Sequence, residues 1–317
     1  MSGTMATHRK TVGIIGVPFS DGQPKAGTED GPKCLRDAGV VATLEKLGHT
    51  VEDHHDILVD KNLLGKSNCP KTKNNLSVSD VNQKLSKKVA ETVAKKQTAV
   101  VIGGDHSLGI GSIQGHAKVE PHLVVIWIDA HADINTPNTS TTHNMHGMPL
   151  SFVVKELEKE IPGDVMPWCK PCISAKQIVY IGLRDVDPGE RKIIEDRGIK
   201  SFSMQEVDEL GIVETLRQAL EHVDPKHKAP IHVSFDIDSV DPQYTPSTGT
   251  AVSGGLTLRE MFYIAETISK TGRLSVLDVA EVNPRIAEQH AQKTVQNTMD
   301  VIASFFGRRR EGNYIKQ

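Results

Sequence analysis

The sequence lacks the features that would direct it to a membrane, an export pathway or a nucleic acid. No stretch approaches the roughly 20 apolar residues that a membrane-spanning helix requires. Residues 1–10 contain no apolar run, so we expect no secretory signal, and they are too short and too poor in arginine and serine for a transit peptide. The formal net charge of −3 gives no electrostatic footprint for nucleic acid or anionic lipid.

Cysteine is scarce, and sequence repeats and low-complexity linkers are absent. Four cysteines in 317 residues indicate a reducing compartment and not a disulfide scaffold, so we expect a cytoplasmic protein. A hydrophobic content of 38% with 24% charged residues is typical of a soluble globular chain. Since the composition does not change along the chain, we predict one domain over residues 1–317.

Short runs rich in β-branched residues alternate with amphipathic segments. Strands are predicted at 12–17, 98–102, 123–128, 177–181, 231–235 and 274–279, and weaker ones at 51–57 and 200–204. Helical faces are predicted for four sets of residues, namely Leu35, Ala38, Ala42 and Leu47; Val81, Leu85, Val89 and Val93; Leu216, Leu220 and Val223; and Met261, Ile264, Ala265 and Ile268. Thr257 can cap the last of these helices, with Glu260 at the capping-box position.

This alternation predicts an α/β fold with a parallel sheet covered by helices on both faces. Eight strands suit either a closed barrel or a wide open sheet, and hydrophobic periodicity does not separate the two. In both architectures ligands bind where the strands end.

Four predicted strands run into polar residues of similar chemistry. The polar segments at the ends of these strands, or just after them, are Asp105-His106, Asp129-Ala130-His131-Ala132-Asp133, Asp236-Ile237-Asp238 and Asp278-Val279-Ala280-Glu281. Because side chains alternate along an extended chain, Asp129, His131 and Asp133 are expected to share one side, as are Asp236 and Asp238. Carboxylates ending buried strands would be costly unless they were neutralised, and two divalent cations would neutralise them.

The type of donor indicates the metal. The predicted ligands are two imidazoles and four carboxylates, without a thiolate: His106, Asp129, His131, Asp133, Asp236 and Asp238. This set suits manganese or another fairly hard divalent ion. Any one of these residues alone would more commonly be a turn aspartate or a core histidine, and only the whole set predicts a binuclear site.

These motifs resemble those of the arginases in the ureohydrolase family, and the resemblance covers nearly the whole chain. Its three metal motifs are Gly103-Gly104-Asp105-His106-Ser107, Asp129-Ala130-His131-Ala132-Asp133 and Ser234-Phe235-Asp236-Ile237-Asp238. The resemblance implies a three-layer α/β/α sandwich around a central, mostly parallel eight-stranded sheet. It implies one Mn²⁺ held by His106, Asp129, Asp133 and Asp236, and a second held by His131, Asp129, Asp236 and Asp238.

The reaction implied by the resemblance is hydrolysis of L-arginine to L-ornithine and urea by a hydroxide bridging two manganese ions. Guanidinium is a cationic, resonance-stabilised and poor electrophile, so water must become a strong nucleophile near neutral pH. Glu281 would pair with the substrate guanidinium, and Asp133 would carry a proton to the departing amine. His146 would be the proton shuttle to solvent.

Substrate specificity is expected to depend on the loop over residues 135–144. By the resemblance, Asn135, Thr142 and Asn144 would contact the α-carboxylate. Asp187 would contact the α-ammonium, and Glu190 would support that contact through a water molecule. Thr250 would line the site. The family usually has Ser-Gly where this chain has Thr142-His143, and glycine tolerates backbone angles that cost other residues energy.

Two short motifs suggest other chemistry. Cys169 and Cys172 form a thioredoxin-like spacing, but prolines surround them and the next strand follows them, so a redox role is not expected. His54-His55-Asp56 could bind a metal adventitiously but is more typical of a solvated strand end.

The resemblance also implies a homotrimer, in which Arg310 would pair with Asp208, and Arg259 with Glu260, across subunits.

Three rival functions can be compared with this prediction. The nearest, a hydrolase for agmatine or another guanidino compound, would share the metals but differ in the substrate loop. A catalytically silent binding relative would be expected to have lost a metal ligand, Glu281 or His146, and none is missing. A phosphate-handling metalloenzyme would carry a glycine-rich phosphate loop or a basic cluster among the strand ends, and the sequence has neither.

Overall fold

Eight parallel strands form a single sheet in the computed structural model, which describes residues 10–311. The strands are β1 (Thr11–Val17), β2 (Thr50–Asp56), β3 (Thr98–Gly103), β4 (Val124–Ile128), β5 (Ile178–Leu183), β6 (Lys200–Ser203), β7 (Ile231–Asp236) and β8 (Leu274–Ala280). Their order across the sheet is β2-β1-β3-β8-β7-β4-β5-β6, and every neighbouring pair is parallel. Because β2 and β6 lie at the two edges, the sheet is open and not a barrel.

The described part of the chain contains nine α-helices, of which eight lie between strands and the last follows β8. They are α1 (Gly31–Asp37), α2 (Val40–Lys46), α3 (Asn75–Ala94), α4 (Gly109–Val119), α5 (Pro149–Val153), α6 (Pro188–Arg197), α7 (Met204–Val223), α8 (Leu258–Thr271) and α9 (Ala291–Phe305). Over residues 10–311, no helix has the length and apolar character needed to cross a bilayer.

Two separate apolar cores lie on the two faces of the sheet, which gives the predicted three layers. Alternate residues of one strand enter different cores, as Val101 on β3 packs with α3 and α4 while Val100 packs with the helices of the other face. The first core includes residues of α3, α4, α5 and α6, and the second includes residues of α1, α2, α7, α8 and α9. The predicted fold class is therefore confirmed.

All eight predicted strands are present, but one predicted helical face is wrong. The segment around Leu35 folds as two short helices, because Gly39 between them adopts φ 86°, a left-handed conformation. As a result Leu35 and Leu44 are buried, whereas Ala38 and Ala42 are exposed. The helix begun by Thr257 agrees with its prediction, since Thr257 and Glu260 form a reciprocal capping box and Met261, Ile264, Ala265 and Ile268 are buried.

The strand order brings the polar strand ends together. Since all strands run in the same direction, their carboxyl ends lie along one edge of the sheet. The central strands β3, β8, β7 and β4 are consecutive neighbours, and these are the strands that the polar segments follow. The site is therefore built from four loops that are distant in sequence but adjacent in space.

Candidate metal centre

Two groups of metal-ligating side chains lie at the carboxyl ends of the central strands. His106, Asp129, Asp133 and Asp236 form the first group, and Asp129, His131 and Asp238 form the second. Within each group the potential ligand atoms all lie within 4.8 Å of one another. Since Asp129 belongs to both, the two groups are contiguous and suit a pair of ions that share a ligand.

His106 lies at the centre of the first group. Its Nδ1 atom is 3.0 Å from one carboxylate oxygen each of Asp129, Asp133 and Asp236. Within residues 10–311 this buried nitrogen has no hydrogen-bond partner of acceptable geometry. A polar atom left in this state is costly, and a cation bound between the imidazole and the carboxylates would satisfy it.

The remainder of the His106 ring is fixed by two neighbours. Its Nε2 atom lies 2.9 Å from the hydroxyl of Ser234, one strand away on β7. The ring stacks on Trp127, with centroids 4.2 Å apart and an interplanar angle of 13°. A hydrogen bond at Nε2 leaves Nδ1 free to bind a metal, which is the usual arrangement for a ligating histidine.

The second group is less buried and differs in one respect from the ligand set that the sequence suggested. The Nδ1 atom of His131 lies 3.4 Å from Asp129 and 3.2 Å from Asp238. Asp236, which the resemblance assigns to both ions, lies in the first group and not in the second. Thr250 donates a 2.8 Å hydrogen bond to Oδ2 of Asp238, so it contacts a ligand of this group.

The route by which these side chains converge also differs from the sequence prediction. Strand β4 ends at Ile128, so the side chains from Asp129 to Asp133 do not alternate along an extended chain. Asp133 has φ 51°, a left-handed value that is uncommon outside glycine. Asp238 lies in a 3-10 turn, Ile237–Ser239, capped by the side chain of Asp236. Local turns, and not strand periodicity, bring these carboxylates together.

The carboxylates repel one another strongly. Burial, and then the charges of Asp238 and Asp129, raise the pKa of Asp236 well above its ordinary value. Burial and Asp129 likewise raise the pKa of Asp133 to about 6. Burial by itself would lower the pKa of His106, but its contacts with the three aspartates raise it well above the usual range. The protein alone therefore leaves negative charge uncompensated, and the donor set fits divalent cations.

Glu281 lies beside the first group, immediately after β8. It is 1% exposed and has φ 65°. Its Oε1 atom accepts a 2.9 Å hydrogen bond from the backbone N–H of His106, and Oε2 accepts one of 2.5 Å from Gln23. The carboxylate is thus held in a fixed position next to the ligands.

His146 contacts this carboxylate. Its Nδ1 atom is 3.5 Å from Oε1 of Glu281, and its side chain keeps 18% of its surface exposed. Burial alone would lower the pKa of His146, but the hydrogen bond and charge of Glu281 raise it above the ordinary value. This histidine therefore connects the buried acid to the surface, as a proton shuttle requires.

The loop over residues 135–144, which carries the predicted carboxylate contacts, is hydrogen-bonded to the N-terminal end of α6. Asn135 donates a 2.9 Å hydrogen bond to Asp187 and accepts one of 2.8 Å from Thr139. The backbone N–H of Asn144 donates to the hydroxyl of Thr142. Thr142 is exposed and Asn144 is half-buried, so both retain polar atoms that a ligand can contact.

Asp187 and Glu190 form the capping box of α6. Glu190 is buried, and its two oxygens accept hydrogen bonds from the backbone N–H groups of Asp187 and Ile134. Burial, and then the charge of Asp133, raise its pKa to about 8. Glu190 therefore helps to position Asp187 by a hydrogen bond to its backbone, and the water-mediated support of the α-ammonium by Glu190 stays a prediction.

Several contributors to the site were missed at the sequence level. Trp127 donates its indole N–H to Asp129, and Gln23 anchors Glu281. Asp105 caps the turn that carries His106 and also accepts a hydrogen bond from the backbone N–H of Gly22. In contrast, Asp278 of the polar segment in β8 does not contribute to the site, because it lies apart from both groups and is hydrogen-bonded to Ser112 and His232. The proximity of Asp105 to His106 in sequence was the one available signal, because the other partners are remote along the chain.

Comparison with known proteins agrees with this geometry. A family model described as the arginase family matches residues 10–307. Human Arginase-1 is 50% identical over 314 residues, which span 98% of this chain and 97% of that protein. The chain belongs to the arginase family.

Solved structures of the family superpose closely on the fold. The arginase from Bacillus caldovelox has a TM-score of 0.87 and 35% identity, covering 95% of this chain and 99% of its own. The arginase of Entamoeba histolytica, solved in complex with L-ornithine, has a TM-score of 0.85 and 33% identity, with the same coverage of both chains. The family fold suggested by the sequence motifs is thereby confirmed.

The two cysteines with thioredoxin-like spacing do not have the environment of a redox pair in this arginase-family fold. Burial raises the pKa of both Cys169 and Cys172 to about 12. A thiol with so high a pKa holds little reactive thiolate near neutral pH. We therefore expect iodoacetamide to alkylate neither residue in the native protein within a time that labels Cys69 or Cys34, as measured by peptide mass spectrometry. Rapid native labelling of Cys172 would contradict this assignment.

The His54-His55-Asp56 segment, at the carboxyl end of β2, is engaged in surface contacts. His54 binds Gln97 and lies 3.5 Å from Glu52, and Asp56 pairs with Arg36. His55 is exposed. The expected solvated strand end therefore holds for His55 and Asp56, whereas the side chain of His54 is largely covered.

Two of the four residues predicted to pair between subunits, Arg310 and Glu260, have side-chain partners within the chain. Arg310 forms an ion pair with Glu266 at 2.8 Å and lies over the ring of Phe262. Glu260 accepts hydrogen bonds from Thr257 in the capping box of α8. Pairing of Arg310 with Asp208 in a trimer would therefore require exchange of an existing ion pair.

Proposed function

We propose that this arginase-family protein uses water to cleave the bond between the guanidinium carbon (Cζ) and the Nε atom of L-arginine, releasing urea and L-ornithine. The observation that carries the proposal is the pair of contiguous metal-ligand groups beside the buried carboxylate of Glu281. The Entamoeba histolytica relative solved in complex with L-ornithine supports the same product.

Two manganese ions are the proposed cofactors. His106, Asp129, Asp133 and Asp236 would hold one ion, and His131, Asp129 and Asp238 the other, with Asp236 as the further ligand that the family resemblance assigns to the second ion. Bound there, the ions would act as Lewis acids that activate the attacking water near neutral pH. The mixed imidazole and carboxylate set, without thiolate, favours manganese over softer metals.

Glu281 would bind the reacting end of the substrate. Its carboxylate is buried and its orientation is fixed by Gln23 and the His106 backbone. A guanidinium presents parallel N–H donors to a carboxylate, and the pairing of opposite charges in a water-poor site is strong. Asp133, whose Oδ2 is 3.0 Å from His106, is placed to pass a proton to the departing amine. His146, which contacts Glu281, would carry protons between the site and solvent.

The other end of arginine would be read by the loop over residues 135–144 and by α6. Asn135, Thr142 and Asn144 would contact the α-carboxylate, and Asp187 the α-ammonium. Glu190 supports the position of Asp187 by its hydrogen bond to that residue's backbone. Thr250 would line the site through its contact with Asp238.

The deciding experiment measures product release by protein that has been stripped with chelator and reloaded with manganese. Urea formation from L-arginine and from agmatine is compared under identical conditions. We expect manganese-dependent hydrolysis with a clear preference for arginine, since agmatine lacks the carboxylate that the loop would bind. Preference for agmatine would replace the proposed substrate with the rival guanidino compound, and inactivity with both despite bound manganese would favour a silent relative.

His143 is expected to cost stability at the tip of the substrate loop. It has φ 61°, and its buried Nδ1 has no hydrogen-bond partner within residues 10–311. A left-handed conformation costs a non-glycine residue roughly 1–2 kcal/mol, partly offset by the greater unfolded entropy of glycine. We expect His143→Gly to raise the free energy of unfolding by about 1 kcal/mol in urea titrations.

A matched control exists at another histidine. His55 has the same φ of 61° but is exposed. His55→Gly reports the relief of backbone strain alone, so a larger gain for His143→Gly measures the cost of the buried nitrogen. A loss of stability in His143→Gly would show that packing of the ring outweighs both effects.

We further propose a homotrimer, a cytoplasmic location and a single domain over residues 1–317. Trimer formation would place Arg310 opposite Asp208, and Arg259 opposite Glu260, across subunits. Sedimentation at the monomer mass across working concentrations would overturn the trimer. All four cysteines are free, which supports a reducing compartment, and cell fractionation tests it.

A further inference from the structure

A cavity of about 460 Å³ lies at the opposite edge of the sheet, where the central strands begin. Its wall includes Thr11, Thr98 and Leu274, which are the first residues of β1, β3 and β8. Because the strands are parallel, this edge is separated from the metal-ligand groups by the length of the sheet. The volume is within the range of small-molecule sites, and none of its lining residues belongs to the site described above.

The wall of this cavity is strongly basic. Lys10, Lys96, Lys228 and Arg273 line it, with Glu120 as its carboxylate. Arg273 is neutralised by an ion pair with Asp224. Within residues 10–311 the three lysine ammonium groups form no ion pair. Three ammonium groups against one carboxylate leave an excess of two positive charges.

Among these cations, Lys10 gives the clearest indication that the cavity binds an anion. Its ammonium donates a 2.8 Å hydrogen bond to the carbonyl of Leu274 and has no other acceptor within the described residues. An ammonium carries three donors, so two remain for a ligand. Burial by the surrounding protein removes water from the ammonium and lowers the pKa of Lys10 to about 8. A partly buried cation without a counter-ion is costly, and an anion in the cavity would reduce that cost.

Glu120 does not supply the missing negative charge by direct contact. Its Oε2 atom is hydrogen-bonded to His116 and to the hydroxyl of Ser275, both within the protein. His116 in turn lies 3.1 Å from His232, which binds Asp278. The carboxylate is therefore held by a polar chain, and its charge offsets only part of the positive charge of the three lysines.

We propose that this cavity binds a small dianion of the phosphate class, either inorganic phosphate or a phosphate monoester. A dianion matches the excess of two positive charges, and its tetrahedral oxygens can accept from several ammonium groups at once. The open cavity of about 460 Å³ has room for a phosphorylated metabolite, and the exposed Lys96 and Lys228 at its wall can reach such a ligand.

The test is isothermal titration calorimetry on the manganese-loaded full chain near pH ~7, where phosphate monoesters are largely dianionic. Inorganic phosphate and glucose 6-phosphate are titrated separately at constant ionic strength, with chloride as the reference anion. We expect saturable binding of at least one of them. Lys96→Gln/Lys228→Gln should weaken it at least about tenfold, since two nearby charges are lost.

Two controls separate this site from general electrostatics and from the metal centre. Lys159→Gln/Lys192→Gln removes the same charge from two exposed lysines outside the cavity and should leave the affinity within about twofold. Asp129→Asn disrupts both metal-ligand groups and should also leave phosphate binding intact. Binding that is absent for both ligands, unaffected by Lys96→Gln/Lys228→Gln, or lost in Asp129→Asn would overturn the proposal. Tighter binding of glucose 6-phosphate than of phosphate would support it and identify a monoester as the occupant.

Discussion

Asp129→Asn is expected to remove most of the bound manganese and to lower arginine hydrolysis by about 10³-fold or more, equivalent to ~4 kcal/mol of transition-state stabilisation. Asp129 is the residue shared by both ligand groups, so removing its negative charge weakens the binding of both ions at once. Asparagine keeps the size of the side chain and can retain one of the contacts with Trp127 or the His131 backbone. Metal content after gel filtration, measured by mass spectrometry, and urea release provide the two readouts.

A neighbouring carboxylate supplies the control. Asp185 lies 3.8 Å from Nε2 of His131 but is largely exposed and outside both groups. Asp185→Asn should retain its manganese and most of its activity. If Asp129→Asn kept two ions per chain, the assignment of Asp129 as the shared ligand would be wrong.

Glu281→Gln is expected to lower kcat/KM for arginine by about 10²–10³-fold, because losing one partner of a buried charge pair costs ~3–5 kcal/mol. Glutamine can still accept the hydrogen bond from the His106 backbone, so the local fold should persist. Unlike Asp129→Asn, this variant should keep its manganese, since Glu281 lies in neither ligand group. Steady-state kinetics and metal analysis on the same sample test both statements.

Gln23→Met distinguishes the charge of Glu281 from its placement. This substitution removes an uncharged hydrogen-bond donor to Glu281 while leaving the carboxylate in place. The loss in kcat/KM should be about tenfold and smaller than that of Glu281→Gln, as expected for one hydrogen bond to a charged group, which is worth ~1.5 kcal/mol or more. Equal losses in Gln23→Met and Glu281→Gln would mean that position, and not charge, makes Glu281 necessary.

The fold could be predicted from the sequence because its central strands are nearly continuous apolar runs. Such runs are typical of a parallel sheet buried on both faces, and β3, β4 and β7 are buried along their whole length. What periodicity could not supply was the choice between an open sheet and a barrel, since that depends on which strands pair. The break between α1 and α2 at Gly39 was missed because a single glycine in a helical sequence pattern does not indicate whether its φ angle is negative or positive.

The candidate site was predictable where residues follow strands directly and not where partners come from elsewhere. His106, Asp129 and Asp236 each lie within three residues of a strand end, so parallel topology alone gathers them. Gln23 and Glu281 are 258 positions apart, and no local pattern indicates their contact. The expected alternation from Asp129 to Asp133 was wrong because the left-handed backbone at Asp133 depends on tertiary contacts.

The strand order has a consequence for how the chain acquires its site during synthesis. His106 and Asp129 follow β3 and β4, but β8 and β7 lie between those strands in the sheet. The two halves of the sheet therefore cannot join until residue 280 has left the ribosome. Up to that point β3 and β7 expose unpaired edges, which are prone to association with other chains. Completion of the ligand groups is thus a late event, and a nascent chain of this topology depends on protection of its open edges until the last strand is inserted.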